Sequence, residues 1–371
     1  MNSRPAIAFF SALLAITSVG AADKSAKKPR PKPIVSPTLH DDHSATFRLQ
    51  ACKAQKVEVG GQPFSKRLPL TKGTNNVWSV TSKSIPPGIY EYSFYVDGLQ
   101  MLDPGNPQIK PMRSPKTSIL YIPGGNIFDF RSDIAHGSVH YHGYYSKPIK
   151  RFRELQVYTP PGYETGKSAY PLLVLQHGHS DSFATWVAHG KAHWILDNLI
   201  ADGKAVPMIV IMLDGHPVPE SYGDGRSTAN TEELRRDLMR EALPMIEKLY
   251  RVKPGSANRA ITGLSMGGLH SLTIGFQERH AFDWLGAFSA AVPTEEDLPT
   301  LLTNPKDLNS DYKLIWIAIG KDDFLLKENK RMIALLKEKS IRHEFLLTEG
   351  GHSWPIWRDY LARFVPRLFK D

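Results

Sequence analysis

Arg259-Ala260-Ile261-Thr262-Gly263-Leu264-Ser265-Met266-Gly267-Gly268 is a short apolar run that enters a Gly-x-Ser-x-Gly turn and leaves into the helical pattern of Leu269 to Phe276. A serine hydroxyl is a weak nucleophile. At the tip of a sharp strand-to-helix turn it can be reached by a base from one side and by a substrate from the other. Gly263 and Gly267 keep side chains out of that crowded turn. The helix beginning beside Met266 directs backbone N–H groups, and the positive end of its dipole, toward a developing oxyanion. The same pattern also arises by chance as a glycine-rich helix start, so its weight depends on the residues further along the chain.

Two later segments supply what the serine would need. Lys313 to Gly320 is nearly continuous in apolar residues, as in a strand buried on both faces, and Lys321-Asp322-Asp323-Phe324 comes directly after it. One of the two aspartates is the expected acid. His343 to Glu349 reads as a further strand ending in Gly350-Gly351-His352-Ser353-Trp354, ahead of an amphipathic helix from about Ile356 to Phe369. This places His352 on a loop after the last strand, suited to act as general base for Ser265. With 14 histidines in the chain, a late histidine alone says little. One that comes after paired glycines downstream of Gly-x-x-Asp says more. Serine, acid and histidine in that chain order are the arrangement of an α/β-hydrolase.

From about Gly137 to Asp371 the chain resembles the esterase D superfamily, especially the feruloyl and acetylxylan esterases of carbohydrate esterase family 1. The residues that carry the resemblance are Val157-Tyr158-Thr159-Pro160-Pro161-Gly162-Tyr163, Leu173 to Gly178, Leu196 to Ile200, Gly263 to Gly268, Gly320 to Asp323 and Gly350-Gly351-His352. The family pattern implies Ser265 as nucleophile, His352 as base and Asp323, fourth residue of Gly-x-x-Asp, as acid. It also implies an oxyanion hole formed by the backbone N–H of Met266 and that of His179. The chain departs from the family at this second donor, reading His177-Gly178-His179-Ser180-Asp181-Ser182 where more glycines are usual. A backbone donor does not depend on its side chain, so the hole is expected to survive with a narrower acyl pocket. Trp354 is expected to shape the aryl or sugar side of the cleft.

Met208 to Leu213 reads as another buried strand, and Asn230-Thr231-Glu232-Glu233 as a helix start capped by Asn230, with Leu234, Leu238, Ala242, Ile246 and Leu249 on its apolar face. Strands alternating with helices imply a mostly parallel sheet covered on both sides. Residues 131–371 are therefore expected to form an α/β-hydrolase domain. Residues 36–130 read instead as all-β. Short strands at Thr46–Ala51, Val57–Val59, Trp78–Thr81, Ile89–Val96 and Ser118–Ile122 are separated by turns, with Asp97-Gly98 a hairpin signal. They predict an immunoglobulin-like β-sandwich. Pro87 to Tyr92, Val96-Asp97-Gly98 and Asp103 to Asn106 resemble the early-set sandwich of carbohydrate-binding module family 48. Exposed aromatics such as Trp78 could stack on sugar, although core packing is the better reading for most of them.

Residues 1–21 have one basic residue, Arg4, an apolar run from Pro5 to about Ile16 and small residues at Val19 to Ala22, the pattern of a secretory signal peptide too short for a membrane span. The pattern predicts export to the periplasm or the medium. Residues 22–35 form a Lys/Pro-rich linker. Residues 1–33 hold six basic side chains and one acidic, so only +4 of the formal +9 belongs to the rest. With no basic stripe interleaved with aromatics, the charge does not argue for nucleic acid. Cys52 is the single cysteine, which excludes an internal disulfide or a cysteine-based metal cluster and suggests a small buried residue. The expectation is a secreted serine esterase acting on feruloyl or acetyl esters of plant cell-wall polysaccharide, without metal or cofactor. The alternatives are an enterochelin esterase or acyltransferase of the same superfamily and a non-enzymatic polysaccharide-binding protein, which the intact serine, acid and histidine set disfavours.

Overall fold

Arg259–Gly263 lies inside an eight-stranded sheet in a computed structural model that describes residues 33–218, 227–294, 297–298 and 305–370. The sheet order is Ser138–Ser146, Arg151–Thr159, Ile209–Leu213, Leu172–Gln176, Arg259–Gly263, Trp284–Phe288, Leu314–Gly320 and Glu344–Thr348. The last six run parallel, and the first two form an antiparallel hairpin along one edge. Leu172–Gln176, Ile209–Leu213, Trp284–Phe288 and Leu314–Gly320 are buried at every residue, because helices cover both faces. Leu172, Val174, Ile209 and Ile211 face a core shared with the helices Thr228–Asp237, Met266–Gln277 and Leu326–Glu338. Leu173, Leu175, Val210 and Met212 face the opposite core, shared with Ala192–Ala201 and Trp354–Phe364. This is an α/β-hydrolase-like architecture.

The N-terminal strands build two further antiparallel sheets. One runs Thr38–Leu39, Ala45–Gln50, Val77–Thr81, Thr71–Lys72; the other runs Leu68–Pro69, Val57–Gly61, Gly88–Val96, Leu99–Met101, with Ser118–Ile122 also paired to Gly88–Val96. Phe47 and Leu49 of the first and Val59, Tyr92 and Phe94 of the second share one apolar core, with the Phe47 and Tyr92 rings edge-on at 5.0 Å. Asp97 and Gly98 both take positive φ, 48° and 91°, and turn the chain back into Leu99–Met101. Trp78 is buried, its indole N–H donating to the Ala51 carbonyl. Residues 34–371 form one compact unit. The signal-peptide reading and most of the linker lie outside the described residues. Among the described residues no helix is long and apolar enough to cross a membrane.

Three local readings need correction. Ser227, not Asn230, caps the helix: its side chain accepts from the Asn230 N–H, and the Asn230 amide instead donates to the Gly215 carbonyl. Leu249 is exposed at the far end of that helical run, while Leu234, Leu238, Ala242 and Ile246 are buried. Cys52 is exposed, because the preceding strand stops at Gln50 and the thiol falls in a turn.

Candidate active site

Ser265 adopts φ 54°, ψ −115°, a conformation costing about 1–3 kcal/mol that persists only where the surroundings impose it. The constraint is visible in the backbone. The Ser265 N–H donates to the Phe288 carbonyl, the Leu264 N–H donates to Gln176, and Ala291 N–H bonds back to the Ser265 carbonyl. The turn is thereby held by both neighbouring strands. A Cβ on Gly263 would lie 2.6 Å from the Gly267 backbone, and one on Gly267 2.6 Å from the Gln176 and His177 carbonyls. Only hydrogen fits at either place.

His352 Nε2 is 3.0 Å from Ser265 Oγ, and its Nδ1 is 2.9 and 3.1 Å from the Asp323 carboxylate oxygens. Because a carboxylate only accepts, Nδ1 carries the proton and the Nε2 lone pair faces the serine hydroxyl. The loop Gly350–Ser353 carries the histidine past the end of Glu344–Thr348, with Gly350 at φ 89°. Asp323 is buried at the end of Leu314–Gly320 and also accepts from the Leu325 N–H. Burial alone would raise its pKa. The bonds from His352 and the Leu325 N–H outweigh that and hold the carboxyl below its ordinary range. Asp322 points elsewhere: it is exposed, and its N–H bonds the Gly350 carbonyl. His270, fully buried in the helix after Ser265, is pressed by burial to a pKa of about 3 and stays neutral.

Ser265 and His352 open into a cavity of about 360 Å³. Phe324, Trp354 and Trp357 form an aromatic wall, with Phe324 and Trp357 against the His352 ring at 4.5 and 4.9 Å. Trp354 is nearly fully buried, edge-on to Trp186 and Trp357, so one side of the indole is wall and the rest core. Gly178, His179, Ser180 and Asp181 form another side, and Met266 begins the helix behind the serine. His177 has a defined tautomer: Nε2 accepts from the Gly215 N–H at 2.8 Å, leaving Nδ1–H to donate to the Gly178 carbonyl at 2.7 Å.

The remaining wall is one that sequence reasoning missed. Gln62, Glu91 and Lys110, all from the N-terminal β region, line the same cavity. The Lys110 ammonium, nearly fully buried, pairs with Glu91 Oε1 at 2.9 Å and Asp181 Oδ1 at 3.0 Å. Burial opposes its charge, but the two carboxylates overcome that and raise its pKa. Nothing in the local sequence around these residues marks them, because their partner Asp181 is far along the chain. Among the described residues no three His, Cys, Asp or Glu side chains are grouped as metal ligands.

The Putative esterase family matches residues 146–368, more than half of the chain, and this protein belongs to that family. It is an esterase. A curated relative, the endo-1,4-beta-xylanase/feruloyl esterase of Xylanibacter ruminicola, is 32% identical over 343 residues, 90% of this chain and 46% of the relative, so this chain spans less than half of that protein. A solved ferulic acid esterase of Anaeromyces mucronatus in complex with ferulic acid is 20% identical with a TM-score of 0.58, covering 66% of this chain and 96% of its own. The enterobactin esterase of Shigella flexneri is 17% identical with a TM-score of 0.58, covering 87% and 92%. At these identities the two structures speak to the fold alone. The 87% share exceeds what residues 131–371 can supply, so that likeness reaches into the N-terminal strands.

Proposed function

We propose that this esterase hydrolyses feruloyl or acetyl esters of plant cell-wall polysaccharide through an acyl-enzyme on Ser265. The observation that carries the mechanism is the hydrogen-bonded line from Ser265 Oγ through His352 to Asp323, opening into a cavity with an aromatic wall. In this reading His352 Nε2 takes the hydroxyl proton as Oγ attacks the ester carbon. Asp323 keeps the imidazole in its Nδ1–H tautomer and stabilises the imidazolium. The N–H groups of Met266 and His179 receive the carbonyl oxygen as it becomes an oxyanion. The tetrahedral adduct expels the alcohol, which takes its proton from Nε2. Water then attacks the acyl-serine, giving its proton to Nε2, and the second adduct collapses to free acid and serine. No metal or redox group is needed in this sequence of steps.

The choice of a feruloyl substrate draws on the Xylanibacter relative and on the aromatic wall of Phe324, Trp354 and Trp357, which suits an aryl acyl group. A siderophore-lactone reading is favoured by one observation, the extended likeness to the enterobactin esterase. We further assign residues 1–21 as a signal peptide, 22–35 as a linker, 36–130 as an early-set sandwich like carbohydrate-binding module family 48, and 131–371 as the catalytic domain of an exported enzyme. One preparation assayed on methyl ferulate, acetylated xylan, short p-nitrophenyl esters and a siderophore lactone tests the substrate. The highest kcat/KM is expected on methyl ferulate or acetylated xylan. A clear preference for the lactone overturns the cell-wall reading while leaving the serine mechanism standing.

A further inference from the structure

The cavity wall formed by residues 178–181 is held by the N-terminal β region. The Met112 and Asp181 backbones form an antiparallel bridge, and the Arg113 N–H donates to the Ser180 carbonyl at 3.1 Å. The Pro111 carbonyl accepts from Ser182 Oγ at 2.7 Å and from Thr185 Oγ1 at 2.6 Å. The Lys110 ammonium reaches Asp181 at 3.0 Å while anchored to Glu91 of the strand Gly88–Val96. Thus residues 110–113, at the end of the N-terminal β region, engage Ser180, Asp181, Ser182 and Thr185 in turn.

The geometry of one peptide group determines what this attachment controls. The Gly178 carbonyl and the His179 N–H belong to the same planar trans peptide, so fixing the oxygen fixes the direction of the N–H. Two donors fix that oxygen, His177 Nδ1–H at 2.7 Å and the Asp181 N–H at 3.1 Å. Asp181 is therefore the link: its side chain is held by Lys110, its backbone by Met112, and its N–H holds the Gly178 carbonyl. An oxyanion donor must sit within a few tenths of an ångström of its working position, and the strap reaches His179 as well, whose ring Nε2 lies 3.2 Å from the Arg113 guanidinium.

We propose that residues 110–113 are a strap that positions the oxyanion loop, with Lys110 as its positioning residue, so that the N-terminal β region contributes to the chemical step itself. This rests on the reading of His179 N–H as an oxyanion donor. It places the dependence in kcat on any ester, including one too small to touch a polysaccharide-binding surface.

The test uses the full chain and p-nitrophenyl acetate. Lys110→Met is expected to lower kcat roughly 10- to 100-fold with KM changed less than about threefold, and Lys110→Arg to restore most of the loss. The rate of fluorophosphonate labelling at Ser265 should fall with kcat. Should Lys110→Met fail to fold, Ser182→Ala, which removes one bond to the Pro111 carbonyl, is expected to lower kcat about two- to fivefold at unchanged KM. Unchanged kcat in a folded Lys110→Met, or in Ser182→Ala where the first does not fold, overturns the strap. A change confined to KM does the same. If wild-type protein neither hydrolyses the ester nor labels at Ser265, it is the serine mechanism that has failed.

Discussion

The two regions that meet at the cavity are built on different principles. In the C-terminal region four central strands are buried at every residue, and Ser265, Asp323 and His352 stand on loops at the carboxyl ends of parallel strands of one sheet. In the N-terminal region strands such as Val77–Thr81 alternate between buried and open positions, and the side chains sent to the cavity are polar or charged. Apolar packing on both faces of the sheet holds the first region, joined by buried polar pairs such as Arg153 with Asp237 and Tyr158 with Asp197. Where the second meets the cavity it depends on a buried ammonium between two carboxylates, where losing one partner leaves a buried charge unpaired. In the proposed mechanism the C-terminal region carries the reacting atoms, and the proposed strap places the N-terminal region to tune them.

The largest expected effect tests whether the reacting atoms belong to one region alone. Ser265→Ala should abolish ester hydrolysis, by about 10⁵-fold or more, with the fold intact because alanine fits the same turn. A fluorophosphonate should label wild type at Ser265 only, as read by peptide mass spectrometry. Labelling elsewhere, or an active mutant, would sink the assignment. Next in size, Asp323→Asn should cut kcat by roughly 10³- to 10⁴-fold, whereas exposed Asp322→Asn should stay within about threefold. Reversed effects would make Asp322 the acid.

A chain beginning at Gly137 separates the regions directly. It is expected to lose stability or activity even on methyl ferulate, for which polysaccharide targeting is irrelevant; full activity there, with loss only on insoluble cell wall, would make the N-terminal region a targeting module. Phe324→Ala removes an exposed part of the aromatic wall and should raise KM for methyl ferulate about three- to tenfold while sparing p-nitrophenyl acetate. The smallest effect is on stability. Asp323 has a depressed pKa, so its ionised form contributes stability that is present above the unfolded value of about 3.9 and lost as pH falls through the folded one. The melting-temperature gap between wild type and Asp323→Asn should therefore narrow in acid below that value. A gap that stays constant from neutral pH into acid would mean the asparagine acts by misfit alone.

The legible parts of this molecule were those where chemistry and chain distance coincide. Apolar runs such as Leu314–Gly320 announce themselves because a strand buried on both faces has no polar side to show. The Gly-x-Ser-x-Gly turn is legible because both glycines are forced within five residues by contacts under 3 Å. The hairpin Ser138–Ser146 with Arg151–Thr159 escaped notice as strands. On Ser138–Ser146 the half-buried positions are Ser138, His140, His142 and Tyr144 while Val139, Tyr141 and Tyr145 are exposed, so the polar face turns inward and the pattern a half-buried strand shows is inverted. Trp284–Phe288 was also missed, being only five residues long with a glycine at its centre.

By itself the sequence determined the two kinds of region, the strand-to-helix turn at Ser265 and the histidine and aspartate candidates, since each rests on residues near one another in the chain. The choice of the Asp323 side chain over that of Asp322 as the partner of His352 is a matter of which way each points, and only the folded loop decides it. The strap was equally out of reach. Lys110, Asp181 and Glu91 are ordinary charged residues until folding buries them together, and a long-range ion pair leaves no local pattern because its geometry is set by how two separately folded surfaces pack.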